Sequence, residues 1–101
     1  MSEILTKRIE EKKLFQCASM LKAIAHPSRM AIVDLLGKKK ELIVTDIYRL
    51  LEMEQAAVSH HLGILKSNGL LEFRKDGKNT YYSLAKIEVL QIIQCIEKCA
   101  I

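Results

Sequence analysis

Between Gln55 and Leu84, one uninterrupted stretch, QAAVSHHLGILKSNGLLEFRKDGKNTYYSL, changes its apolar period from helical to strand-like within a few positions. Val58, Leu62 and Leu65 recur at four- and three-residue steps, which defines one buried stripe of a helix. Asn68-Gly69 is suited to end that helix with a left-handed residue. Two runs of strand formers follow on either side of Asp76-Gly77, a favoured pair for a tight hairpin turn. The stretch thus predicts a helix that stops and passes into a β-hairpin whose end carries Arg74, Lys75 and Lys78. The remaining stripe of the helix is Ala56, Ser59, His60, Gly63 and Lys66. Solvated helix faces usually carry long Glu and Lys side chains; this one is thin enough to press against a surface.

Upstream, Ser2 can cap a long first helix whose apolar residues Leu14, Cys17, Ala18, Leu21, Ile24 and Ala25 recur at three- and four-residue steps. It must stop near His26, because Pro27 disfavours a helical residue before it and is welcome in the first turn of the next helix. That second helix runs through Met30, Val33 and Leu36 and is expected to close at Gly37 with a left-handed cap, the lysines beyond reading as a turn. Leu42 to Val44 is a short apolar bridge. Thr45 is expected to cap a brief helix with Ile47, Leu50 and Leu51 inward, and a turn at Glu52 and Met53 leads to Gln55. After Lys86 a last helix carries Val89, Leu90, Ile92, Ile93, Ile96 and Ala100, more circumference than one core-facing stripe needs, so it is expected to be buried on two sides. The order is α-α-(short β)-α-α-β-β-α.

A chain of 101 residues makes one domain and excludes two. With 50% hydrophobic and 28% charged residues it has material for a core and lacks the signature of disorder. The longest apolar run, Met30 to Val33, is far short of a membrane span, and the charged start MSEILTKRIEEKK does not resemble a secretory signal, so a cytoplasmic protein is expected. The formal charge is +4. Between Gln55 and Lys86, Lys66, Arg74, Lys75, Lys78 and Lys86 stand against Glu72 and Asp76, so 5 − 2 = +3 lies in one third of the chain and points to an anionic partner. The three cysteines, Cys17, Cys95 and Cys99, are an odd number without pair spacing, as expected of thiols in a reducing compartment. Paired carboxylates, a Gly-rich phosphate loop and a Ser, His and acid set are all missing from the sequence, so an enzyme is not expected.

Helix, turn, thin-faced helix and basic hairpin, in that order, are the parts of a winged helix-turn-helix. LKAIAHPSRMAIVDLL, then ELIVTDI, then QAAVSHHLGILKSNGLLEFRKDGKNTYYSL closely resemble the ArsR/SmtB family of dimeric, sensor-type bacterial repressors, over nearly the whole chain. The resemblance implies one winged-helix domain over residues 1–101 that forms a homodimer through its first and last helices. It further implies a recognition helix in each of two major grooves of an inverted-repeat operator, and a wing at the DNA backbone. Two departures bear on sensing. In many metal-sensing members the segment aligned with ELIVTDI carries two metal-binding cysteines where this chain has Ile43 and Thr45. The zinc site of other members needs histidines in the last helix, and KIEVLQIIQCIEKCAI has none.

The candidate DNA contacts follow. Ser59 and His60 on the thin face can reach base edges or phosphates. Gln55 and Ala56 sit at the helix start, where backbone N–H groups and the positive end of the dipole can meet a phosphate, although members often carry serine where this chain has Glu54 and Ala56. Arg74, Lys75 and Lys78 are read as phosphate contacts rather than as solubility, and Lys66 on the thin face as a further DNA contact. His61, beside Val58 and Leu62, is expected to be a hydrogen-bonded structural residue, and Lys38 to Lys40 receive no role. No cofactor is required. Cys95 and Cys99 stand at i and i+4, on the same helix face, and the resemblance places Cys17 of the first helix against the last. Three thiolates there would take As(III), Cd(II) or another soft ion, or react with oxidants or reactive sulfur; alternatively they are small core hydrophobes. A protein-interaction module of the same fold without DNA is the competing function.

Overall fold

Pro27 divides the N-terminal third as its chemistry requires. In the computed structural model, which describes residues 3–99, α2 spans Glu11–Ile24 and α3 spans Pro27–Lys39 with Pro27 in its first turn. His26 is the extended N-cap of α3, and its Nδ1 accepts a hydrogen bond from the Ser28 N–H at 3.1 Å. The expected long first helix is instead two. α1 (Glu3–Arg8) precedes α2, and the chain breaks at Ile9 and Glu10, where the apolar spacing from Ile9 to Leu14 is five residues and loses the helical phase. Ser2 and Ala100 lie outside the described residues.

α3 does not close at Gly37. It continues to Lys39, and Lys40 takes the positive φ of 68° at its C-cap. Gly37 has a different use: a Cβ there would stand 2.5 and 2.9 Å from the two methyls of Leu90, so the bare backbone lets the Leu90 side chain lie against it. β1 (Glu41–Ile43) and α4 (Val44–Leu50) follow. Ile43, not Thr45, occupies the N-cap of α4 without a side-chain cap, and Leu50 is 53% exposed rather than inward, since a seven-residue helix buries only the side around Ile47. Glu52 turns the chain with φ 53° into α5 (Gln55–Ser67), which ends at Gly69 with φ 77° as its sequence predicts.

β2 (Leu71–Asp76) and β3 (Asn79–Leu84) form the hairpin, and β1 pairs with the far edge of β3 to make an antiparallel sheet of order β1-β3-β2. The turn lies one residue later than expected. Asp76 pairs with Asn79, so Gly77 and Lys78 are the two central residues, with Gly77 at φ 63°. Centring the turn on Asp76-Gly77 would have set Lys75 directly opposite Lys78, two like charges across the ladder; the observed register sets Lys75 opposite Thr80. A single 3₁₀ turn, Ile87–Val89, leads into α6 (Leu90–Lys98).

The core lies between α3, α4, α5 and the inner face of the sheet. Ile32, Val33, Leu36, Ile47, Val58, Leu62, Leu65 and Leu70 are fully buried, and Val89 and Ile93 seat α6 against the same cluster. Each such side chain contributes about 1.5–3 kcal/mol of transfer free energy, so α5 is held rigidly by Val58, Leu62 and Leu65 while its other face stays outside. No helix among the described residues is long and apolar enough to cross a membrane.

Candidate nucleic-acid interface

α4 and α5 form a helix-turn-helix, and the burial of α5 follows the sequence period. Val58, His61, Leu62 and Leu65 are inside; Gln55, Ala56, Ser59, His60, Gly63 and Lys66 are exposed on one continuous face. A Cβ added at Gly63 would meet nothing within 4 Å among the described residues. No neighbour among the described residues therefore requires glycine at that position, which costs about 1 kcal/mol relative to alanine in a helix interior.

The hairpin stands beside this face. The Lys66 ammonium lies 4.6 Å from the centroid of Phe73, a cation–π contact that ties the C-terminal end of α5 to β2. Phe73 in turn pairs with Tyr82 across the inner side of the sheet, and Tyr82 packs on the core. Lys75 and Lys78 are exposed. Among the described residues, neither they nor Lys66 have a carboxylate within 4.0 Å.

Arg74 has a partner within the chain. It belongs to the outer face of the sheet, and its guanidinium donates to both carboxylate oxygens of Glu41 at 2.8 and 2.7 Å, which gives it a partner other than a phosphate. These bonds hold the Glu41 carboxyl below its usual range. Nothing in the sequence marks Glu41, because the pair joins residues 33 positions apart through strand register. Lys38 forms an exposed pair with Asp34 one turn earlier, at 3.3 Å.

His61 is buried as expected, with 9% exposure, but its Nδ1 finds no hydrogen-bond partner among the described residues. Its ring lies 4.7 Å from that of His26 and 5.5 Å from that of His60. Burial first, then the charges of His26, Arg29 and His60, push its pKa down, so the neutral ring is favoured.

The cysteines are all exposed on the single chain, not core residues. Cys95 and Cys99 line one apolar groove with Ile92 and Ile96, although Cys99 is the extended residue just past the end of α6. Cys17 lines a neighbouring groove with Met20, Leu21 and Val89, and Ile92 borders both. Among the described residues no group of three or more His, Cys, Asp or Glu is placed to hold a metal ion within one chain.

Comparison with known proteins agrees with this geometry. A family model described as a helix-turn-helix domain matches residues 24–73. The cadmium resistance transcriptional regulatory protein CadC homolog of Staphylococcus aureus is 34% identical over 88 residues, which is 87% of this chain and 73% of that protein. The transcriptional repressor PagR of Bacillus anthracis is 35% identical over 96 residues, 95% of this chain and 96% of PagR. Its crystal structure superposes with a TM-score of 0.79 and 37% identity, covering 86% of this chain and 99% of that one. The homodimeric winged helix-turn-helix DNA-binding domain of Mb0332 from Mycobacterium bovis superposes with a TM-score of 0.76 at 31% identity, over 96% of this chain and 87% of that one.

Proposed function

Because the chain belongs to the ArsR/SmtB family of winged helix-turn-helix transcriptional regulators, we propose that it is a homodimeric repressor whose two α5 helices read the halves of an inverted-repeat operator and whose wings meet the flanking phosphates. The exposed face of α5 carries this reading. It is short-sided, it offers Ser59 and His60, and at Gly63 it leaves bare backbone that nothing among the described residues occupies. Close approach to an external surface is what such a position provides. Lys75 and Lys78 at the adjoining hairpin supply charge that locates the backbone without reading bases.

Two faces of the fold support the dimer. Phe15 and Leu21 on α2 are 57% and 49% exposed, and Ile96 on α6 is 46% exposed, while the opposite side of α6 is already seated in the core. Removing such apolar area from water contributes about 25 cal/mol per Å², and two-fold symmetry then places the second recognition helix about one helical turn of DNA, ~34–36 Å, or a multiple from the first. Release from DNA we assign to Cys17, Cys95 and Cys99, which border the same α2–α6 surface. A soft ion, an oxidant or reactive sulfur that links thiols there favours one arrangement of the two subunits. A coupling of about 1–3 kcal/mol changes DNA affinity about 5- to 150-fold. Sedimentation together with electrophoretic shifts on inverted-repeat duplexes from the protein's own upstream region tests the reading. A stable monomer at micromolar concentration that shifts no palindromic DNA would refute it.

A further inference from the structure

One arginine spans all three strands of the sheet. The register sets Arg74 of β2 opposite Tyr81 of β3, and Glu41 of β1 opposite the neighbouring Ser83, so the long side chain can lie flat across the outer face. Its guanidinium carbon lies 4.4 Å from the Tyr81 ring centroid. Beyond that ring, Nε and Nη2 donate to the two oxygens of Glu41 at 2.8 and 2.7 Å, and Asp76 adds a carboxylate oxygen 3.9 Å from Nη1. The planar fork of donors that grips a carboxylate in this way is the same fork that grips a phosphate. While Glu41 holds it, those donors are occupied and the charge is balanced.

We propose that Glu41 withholds Arg74 from polyanion phosphates, those of DNA in the reading given above, so that the wing meets the backbone with Lys75 and Lys78 alone. The physical effect is on the part of binding that carries no sequence information. Each phosphate contact contributes about 0.9 to the slope of log K against log salt, which at 0.15 M monovalent salt is about fivefold in affinity for any sequence. Keeping one such contact out of the wing lowers random-DNA binding while leaving the Ser59 and His60 contacts unaltered, and thereby widens the ratio of operator to random binding. The proposal rests on the DNA-binding reading, but its chemistry is tested separately from it.

The experiment measures the salt dependence of binding to a random-sequence duplex and of elution from immobilised heparin. It compares wild type with Glu41→Gln, Glu41→Ala, Arg74→Ala, the Glu41→Gln, Arg74→Ala double variant, and Glu72→Gln. Glu72 is an exposed carboxylate on the same face, opposite Ser83 and outside the Arg74 clasp, so Glu72→Gln makes the same change of net charge without freeing the arginine. Both Glu41 variants should steepen the slope by about 0.9 and raise random-duplex affinity about fivefold at 0.15 M salt. Glu72→Gln should do much less, Arg74→Ala alone should move the slope no further than Glu72→Gln does in the opposite direction, and the double variant should return it to the wild-type value. A slope flatter by about 0.9 in both Arg74→Ala and the charge-neutral double variant means that the arginine already meets phosphate with Glu41 present, and overturns the proposal. So does an equal change in Glu41→Gln and Glu72→Gln, which would be a general effect of charge. If no form binds duplex but only the Glu41 variants elute later from heparin, the withheld arginine stands and the DNA-binding reading fails.

Discussion

Two glycines inside helices make opposite predictions. Gly37 in α3 and Gly63 in α5 both stand at interior positions, so replacing either by alanine gains about 1 kcal/mol of helix propensity. At Gly63 no described residue opposes this gain, since the new methyl meets none of their atoms within 4 Å. At Gly37 the methyl would arrive 2.5 and 2.9 Å from the Leu90 methyls and 3.2 Å from its Cγ. Carbon atoms prefer about 3.5–4.0 Å, so Leu90, the first residue of α6, must move by about 1 Å. Inserting a methyl into a packed contact costs about 1–3 kcal/mol. Gly63→Ala should therefore be more stable than wild type by about 1 kcal/mol, and Gly37→Ala less stable than Gly63→Ala by about 1–3 kcal/mol. With a urea slope of roughly 1.5 kcal/mol per molar, a value inside the usual range, the two midpoints should differ by about 1 M. Urea unfolding followed by circular dichroism at one fixed protein concentration reads this directly, fixed because a dimer's midpoint moves with concentration. Leu90→Ala added to Gly37→Ala should recover the lost propensity term relative to Leu90→Ala alone. Equal midpoints for the two glycine variants would refute a tightly packed Leu90 side chain at Gly37. Gly63→Ala should meanwhile weaken operator binding, because its methyl enters the space assigned to DNA.

His61 gives a pH response. Its pKa lies below the ordinary 6.5 because burial and the neighbouring His26, Arg29 and His60 disfavour the charged ring. As pH falls through 6.5 the unfolded chain takes up the proton first, so the stability contributed by the neutral ring is complete above about pH 6.5 and is lost as pH falls toward the lower folded value. Urea midpoints should drop from pH 7.5 to pH 5.5 in wild type and drop less in His61→Gln; an identical drop in both assigns the effect elsewhere. On the interface, Ser59→Ala and His60→Ala should change discrimination between operator and mutated operator by about 1–3 kcal/mol. Lys75→Ala and Lys78→Ala should instead weaken all sequences alike and flatten the salt slope by about 0.9 each, and equal loss of specific and random binding by both classes would disprove the division. For the inducer, the Cys95→Ser, Cys99→Ser double variant should stay on DNA when As(III), Cd(II) or a persulfide donor removes wild type, with zinc a weaker effector than ions that prefer sulfur alone. A variant that responds like wild type places the sensor elsewhere.

Features written in neighbouring residues were legible in the chain alone. The stripe of Val58, Leu62 and Leu65, the break at Pro27, the stop at Gly69, the thin face of α5 and the existence of the hairpin all follow from spacings of a few residues, and backbone sterics enforce them wherever the chain goes. The apolar pattern of the last helix was equally visible, and in the single chain its Val89 and Ile93 side is buried while Ile96 stays exposed. Features set by partners far along the chain were not. Gly37 has the composition of a helix cap, and its actual use depends on Leu90 arriving against it. The hairpin turn shifted by one residue because the ladder avoids facing Lys75 with Lys78, a comparison that exists only once two strands pair. Arg74 reads as a free wing cation until β1 docks on β3 and brings Glu41 within hydrogen-bonding distance. Periodicity and turn chemistry are local free energies and survive in the unfolded order of residues. Close approach and charge pairing depend on which surfaces meet, and only the packing of α6 on α3 and of β1 on β3 settles those.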